Sequence, residues 1–182
     1  MTKYALMLDI ETLGLRPDSA VTQVGGCVVN LDDQFIVEHW NFNYLIEVNT
    51  EKQHVDWGTL CWWMRQDRKV AEGVFKEEGR ISAEDLFYKI KTIVDNHPDI
   101  TVWGSPAMFD LPILTSLWNG KKPWRYNYER DMMTIYKTFD PLGRLKPANN
   151  EMGHDALADA LWQANYLINL NEEISRVGYH IS

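Results

Sequence analysis

Tyr4-Ala5-Leu6-Met7-Leu8-Asp9-Ile10-Glu11 is a short apolar run that ends in acid. Such a run predicts a buried central strand. Asp9 and Glu11 stand at i and i+2, so a strand points both carboxylates to one face and turns Ile10 to the other. Working outward, Gly14, Pro17 and Asp18 mark a turn, and Val21 to Val29 is rich in β-branched residues, the composition of a second strand. Asn30-Leu31-Asp32-Asp33 predicts a hairpin turn into a third strand over about Gln34 to Leu45. Three strands joined by tight turns imply an antiparallel start to a sheet.

The pattern then becomes helical from Val55 to Phe75, with Trp57, Leu60, Cys61, Met64, Val70 and Val74 at apolar spacing. Ser82 followed by Glu84 and Asp85 is a start signal for a helix to about Asn96. Ile100 to Trp103 predicts a buried strand, stopped by Gly104-Ser105-Pro106. A helix from Met108 or Asp110 to Trp118 follows, with Pro112 in its first turn. Lys121 to Tyr128 is a loop or short strand, Asp131 to Phe139 a short helix, and Asp140 to Gly153 a loop. A last helix runs from about Asp155 to Val177, with Leu157, Leu161, Ala164 and Ile168 on one face. Strands first, then alternating helix and strand, indicate an α/β fold with a mixed sheet covered by helices. Length and the lack of a linker predict one domain over residues 1–182.

A hydrophobic fraction of 45% and a charged fraction of 24% are those of an ordinary globular protein. No apolar run approaches the roughly 20 residues of a membrane-spanning helix, and Met1-Thr2-Lys3 leads into the first strand without a signal-peptide core. Cys27 and Cys61 sit in apolar surroundings without metal-ligand spacing, which predicts two buried thiols and a cytoplasmic protein. The net charge of −8 argues against a protein that grips long stretches of nucleic acid through a basic face. It leaves open an enzyme that engages a few nucleotides at one end.

Two adjacent carboxylates near a core are costly unless a cation lies between them, and Mg²⁺ and Mn²⁺ prefer such oxygen ligands. On the Asp9/Glu11 pair alone a solvated strand end is nearly as good an explanation, since D-x-E is common. Asp110, in Phe109-Asp110-Leu111-Pro112, is as good an N-cap as a ligand. Asp159 lies among Ala156, Leu157, Ala158, Ala160 and Leu161, where an acid is harder to dismiss as solvated surface. His154 precedes it by five positions, and Ala156 and Ala160 would let this helix approach the sheet closely.

Taken in order, these pieces make D-x-E, then F-D, then H-x-A-x-x-D-A. The chain thereby resembles the DEDDh group of the DnaQ-like exonucleases, of RNase H-like fold. The first motif stands as Leu8-Asp9-Ile10-Glu11-Thr12-Leu13-Gly14, the second as Trp103-Gly104-Ser105-Pro106-Ala107-Met108-Phe109-Asp110. The third is His154-Asp155-Ala156-Leu157-Ala158-Asp159-Ala160. Any one motif is weak; the ordered set over residues 8–160 is specific. Ser105 and Pro106 stand where many relatives carry a His-Asn pair, which bears on contacts made by that asparagine and not on the metal ligand. The second motif looks most like a phage- and prophage-associated branch of small exonucleases.

The resemblance implies a 3′→5′ exonuclease on the 3′ end of single-stranded DNA or RNA, and relatives of this size are often dimers. It implies two divalent ions, Mg²⁺ or Mn²⁺, held by Asp9, Glu11, Asp110 and Asp159, with His154 as general base. Asp155 competes for a ligand role but is better read as a helix-start acid, and Asp131 as a structural acid. Thr12, Leu13 and Gly14 would contact the terminal nucleotide through backbone groups, and Phe109 would stack on a base. Trp57, Trp62 and Trp63 cannot all face inward on one helix; core or interface packing outweighs nucleotide contact for them. A catalytically silent RNase H-like binding module is the alternative, and loss of any of the five motif residues would have favoured it. A two-metal structure-specific endonuclease is a third reading, disfavoured by the histidine.

Overall fold

In the computed structural model, residues 3–44, 53–76, 78–148, 153–176 and 178 are described. β1 (Tyr4–Thr12) is buried along its length beyond Tyr4 and lies inside a six-stranded sheet of order β4-β3-β2-β1-β5-β6. β2 (Val21–Asn30) and β3 (Phe35–Tyr44) form the antiparallel start. Asn30 closes the hairpin turn: its Oδ1 accepts from the backbone N–H groups of Asp32 and Asp33, a local bond that stabilises the reversal. β4 (Arg80–Ile81) runs parallel to β3, β5 (Thr101–Gly104) parallel to β1, and β6 (Glu129–Asp131) parallel to β5. The sheet is mixed and flanked by helices, as expected.

Alternation along β1 divides the core in two. Leu6, Leu8 and Ile10 face α3 (Ala83–Asn96) and α4 (Ala107–Leu117), among Leu86, Ile90, Ile93, Leu111 and Leu114. Ala5 and Met7 face α6 (Ala156–Arg176), among Cys27, Ala160, Ala164, Leu167 and Leu170. α3 begins as anticipated, Ser82 Oγ accepting from the Asp85 N–H.

Several expectations are corrected. The helix anticipated over Val55 to Phe75 is two, α1 (Trp57–Trp63) and α2 (Arg68–Val74), because Asp67 caps a new start through the Lys69 N–H. Their packed residues are Trp63 and Val74, with Leu60 and Val70 half-buried, whereas Trp57 and Met64 are 74% and 80% exposed. The buried stripe of α6 is Ala156, Ala160, Gln163, Ala164 and Leu167, and Leu157, Leu161 and Ile168 are only half-buried. Pro112 stands in the second turn of α4, not the first. β4 and β6 are too short to show alternation and went unread, and Cys61 is half-buried where Cys27 is fully buried. Among the described residues no helix is long and apolar enough to cross a membrane.

Candidate active site

Asp9 and Glu11 lie at the end of β1 on the face turned to α6, opposite Gly25 and Gln23 of β2, and are 9% and 8% exposed. Gly25 has a steric reason: a Cβ there would fall on the Ala156 carbonyl at the start of α6. The helix therefore begins directly over the β1/β2 pair, the close approach that Ala156 and Ala160 anticipate. Gln23 fixes that start, its Oε1 accepting from the Ala156 N–H at 2.8 Å. Asp155 caps the helix by accepting from the Ala158 N–H at 3.0 Å, the structural role read for it.

One turn in, Asp159 accepts at Oδ2 from the backbone N–H of His154, 2.8 Å away. His154 holds φ at +70°, a left-handed conformation uncommon outside glycine. Four residues beyond Asp159, Gln163 donates from Nε2 to Asp9 Oδ1 at 2.7 Å and ties α6 to β1. Gln163 was missed in the sequence, though i+4 from a candidate acid on a helix face is a readable signal.

Asp110 is 3% exposed and sits in the first turn of α4. The N-cap position belongs to Pro106; Asp110 reaches back and accepts from the Ser105 N–H at 2.8 Å. Gly104 leaves room for it, since a Cβ there would stand 2.8 Å from Asp110 Oδ2. Asp131 caps α5 (Met132–Phe139) through Thr134 and accepts the Ala107 N–H, joining β6 to the start of α4.

The structure brings Glu11, His154 and Asp159 together, with one potential ligand atom from each lying within 4.8 Å of the others. The acids crowd one another. Burial, then the charges of Asp110, Glu11 and Asp159, hold the Asp9 carboxyl well above the usual range, with the Gln163 hydrogen bond opposing. Burial pushes Glu11 up to about 8, helped by Asp159, Asp155 and Asp110. Burial also lifts Asp110 to about 7, against the Ser105 hydrogen bond. Four acids facing one another with a nitrogen donor alongside is a donor set that a hard divalent cation neutralises.

A cavity of about 460 Å³ opens beside Glu11 and runs along α1 past Thr59, Trp62 and Trp63 to Phe109. Thr12 and Phe109 line it; Leu13 and Gly14 do not. The Leu13 N–H and C=O are bonded to Ala20 and Asp56, and the Gly14 C=O accepts from the Thr12 hydroxyl. The three tryptophans divide their roles: Trp63 is core, Trp62 borders the cavity, and Trp57 points to solvent.

An antiparallel-then-parallel sheet, with paired acids ending its central strand and further acids brought in from α4 and α6, defines the RNase H-like class of fold. Within that class the chain belongs to the 3′-5′ exoribonuclease Rv2179c-like domain family, whose model matches residues 4–170. In structure the chain is similar to exonuclease I of E. coli. The zinc-ion-bound form of the exonuclease I complex with single-stranded DNA superposes with a TM-score of 0.70 at 14% identity, over 97% of this chain and 42% of that one. The complex of the same enzyme with a dT13 oligonucleotide gives 0.67 at 14% identity, over 96% and 42%. The likeness is one of fold, and the chain spans about two fifths of the length of those solved chains. No curated protein matches the chain in sequence.

Proposed function

We propose that this chain is a two-metal exoribonuclease that removes nucleotides from the 3′ end of single-stranded RNA, working as one domain over residues 1–182. The convergence of Glu11, His154 and Asp159 within 4.8 Å, beside the buried Asp9 and Asp110, carries this reading. Asp9, Glu11, Asp110 and Asp159 would hold two divalent ions, Mg²⁺ or Mn²⁺. When bound, such ions supply Lewis acidity at the phosphate and lower the pKa of water. Gln163 orients Asp9 by its hydrogen bond. His154 accepts the proton of the attacking water at an imidazole nitrogen. Thr12 and Phe109 bind the terminal nucleotide, the ring offering a stacking face. The cavity has no lysine or arginine among its described lining residues, which fits a site that takes the base and sugar of a chain end. The family description supports RNA as the substrate.

The test is a time course on matched 5′-labelled RNA and DNA oligonucleotides, single- and double-stranded, with Mg²⁺ or Mn²⁺. Progressive one-nucleotide shortening of single-stranded RNA from its 3′ end is expected. Internal cuts as first products would point to an endonuclease, and shortening of DNA alone would overturn the RNA assignment.

A further inference from the structure

The rings of α1 form a chain that crosses the mouth of the site. Trp63 is 2% exposed and donates from Nε1 to the carbonyl of Thr12 at 2.9 Å, which anchors α1 to the residue after Glu11. Trp62 stands edge-to-face on Trp63, with centroids 4.9 Å apart and planes at 78°. Trp62 also stands edge-to-face on His154, at 4.8 Å and 89°, and Trp63 reaches the same imidazole at 6.3 Å. These separations and angles are those aromatic pairs prefer. His154 is otherwise exposed and sits on a left-handed backbone held by the bond from its N–H to Asp159. A non-glycine residue in that conformation at a functional position persists only where its surroundings over-determine it. That bond fixes the backbone and leaves the imidazole free to turn about its own side-chain torsions. The nearer ring contact that the imidazole meets from α1 is Trp62, at 4.8 Å.

We propose that Trp62 is a positioning residue for His154, holding the imidazole in the orientation from which it faces Glu11 and Asp159. The proposal rests on the general-base reading of His154. Trp62 is 40% exposed and borders the cavity, so the indole that meets the imidazole and Trp63 also lines the substrate cleft. Trp63 serves as the backstop that keeps the Trp62 ring upright. A platform for a base and a positioner for a base catalyst differ in kinetics. Losing the first weakens substrate binding, whereas losing the second slows turnover of bound substrate.

The experiment compares Trp62→Leu, Trp62→Phe, His154→Ala and the Trp62→Leu/His154→Ala double variant on single-stranded RNA at saturating Mn²⁺. It is paired with thermal melting and with the NMR signal of the His154 ring in metal-free protein. Trp62→Leu should lower kcat by about tenfold or more with KM changed by less than about threefold, since small misplacements of a catalytic group cost this much. Trp62→Phe, which keeps a ring, should restore most of the loss, and the double variant should be no slower than His154→Ala. The His154 ring proton should shift in Trp62→Leu as the neighbouring ring current is lost. A raised KM with kcat unchanged, or losses that multiply in the double variant, would overturn the proposal. Normal turnover by His154→Ala would instead bring down the general-base reading itself. If Trp62→Leu no longer melts cooperatively, Trp62→Met, which fills similar space without a ring, takes its place.

Discussion

Ile10 stands between Asp9 and Glu11 on one strand, yet the two sides of the sheet it separates have little in common. On its side Leu6, Leu8 and Ile10 meet Leu86, Ile90 and Leu114 in an apolar layer. On the other side the layer begins the same way, with Ala5 and Met7 against Leu167 and Leu170, and turns acidic at the end of β1. α6 makes the matching change, from leucines along its later turns to Gln163 and Asp159 near its start. The active site is where the second layer stops being a core. One face therefore carries stability, and the neighbouring face holds charges that oppose folding until something neutralises them.

That contrast can be broken first at its strongest point. Asp9→Asn should reduce hydrolysis of RNA to background, while metal-free protein melts no lower than the parent, because a buried repulsive charge is gone and an acceptor for Gln163 remains. A large drop in melting temperature would show that the acidic face supports the fold. Leu8→Ala, one residue away on the apolar side, should do the reverse. It should cost about 2–5 kcal/mol in denaturant unfolding, with turnover per folded molecule nearly kept.

Gly25→Ala joins the two effects on a smaller scale. The added methyl meets Ala156, so a loss of about 1–3 kcal/mol should come with reduced activity as the start of α6 moves off the strand. A variant that is destabilised but fully active would separate helix docking from the site. The same contrast sets the pH dependence. Glu11 and Asp110 are raised to about 8 and about 7, so the fold favours their protonated forms. Their contribution to stability is complete below the ordinary carboxylate range and is lost as pH rises through about 7 and 8. Metal-free protein should melt lower at pH 8 than at pH 5. Mg²⁺ or Mn²⁺ should raise the melting temperature more at the higher pH. An equal effect at both would mean that the acids are not what the ions relieve.

Much of this was legible before any coordinates. The alternation of Leu8, Asp9, Ile10 and Glu11 is a local property of a strand, and the hairpin at Asn30 and the cap at Ser82 are local hydrogen-bonding preferences. The order of the five motif residues reflects topology, so it survives in the linear chain. Contacts between distant segments leave fainter traces. Gln163 differs from any other polar residue on a helix only because Asp9 lies under it. Trp62 and Trp63 are adjacent and chemically identical, and only contacts with distant segments separate them, Trp63 packing on Leu13 and Ala20 and bonding Thr12, Trp62 standing beside His154 at the cavity. On α6 the alanines Ala156, Ala160 and Ala164 lie inward as anticipated, whereas Leu157, Leu161 and Ile168 are only half-buried. Large apolar residues usually mark the inner face, but the crossing at Gly25 is so close that only alanines fit there.

The bond from Gln163 to Asp9 spans 154 positions of sequence. Its consequence concerns time as much as space. During synthesis the first strand, with Asp9 and Glu11, emerges long before α4 brings Asp110 and α6 brings Asp159. A chain whose α6 has not yet emerged therefore holds an incomplete set of acids, however well its early hairpin has formed. Competence arrives in one step when the last helix docks. It departs in the same way if that helix is clipped or frays from its start, so the set of acids is complete only in the fully folded chain.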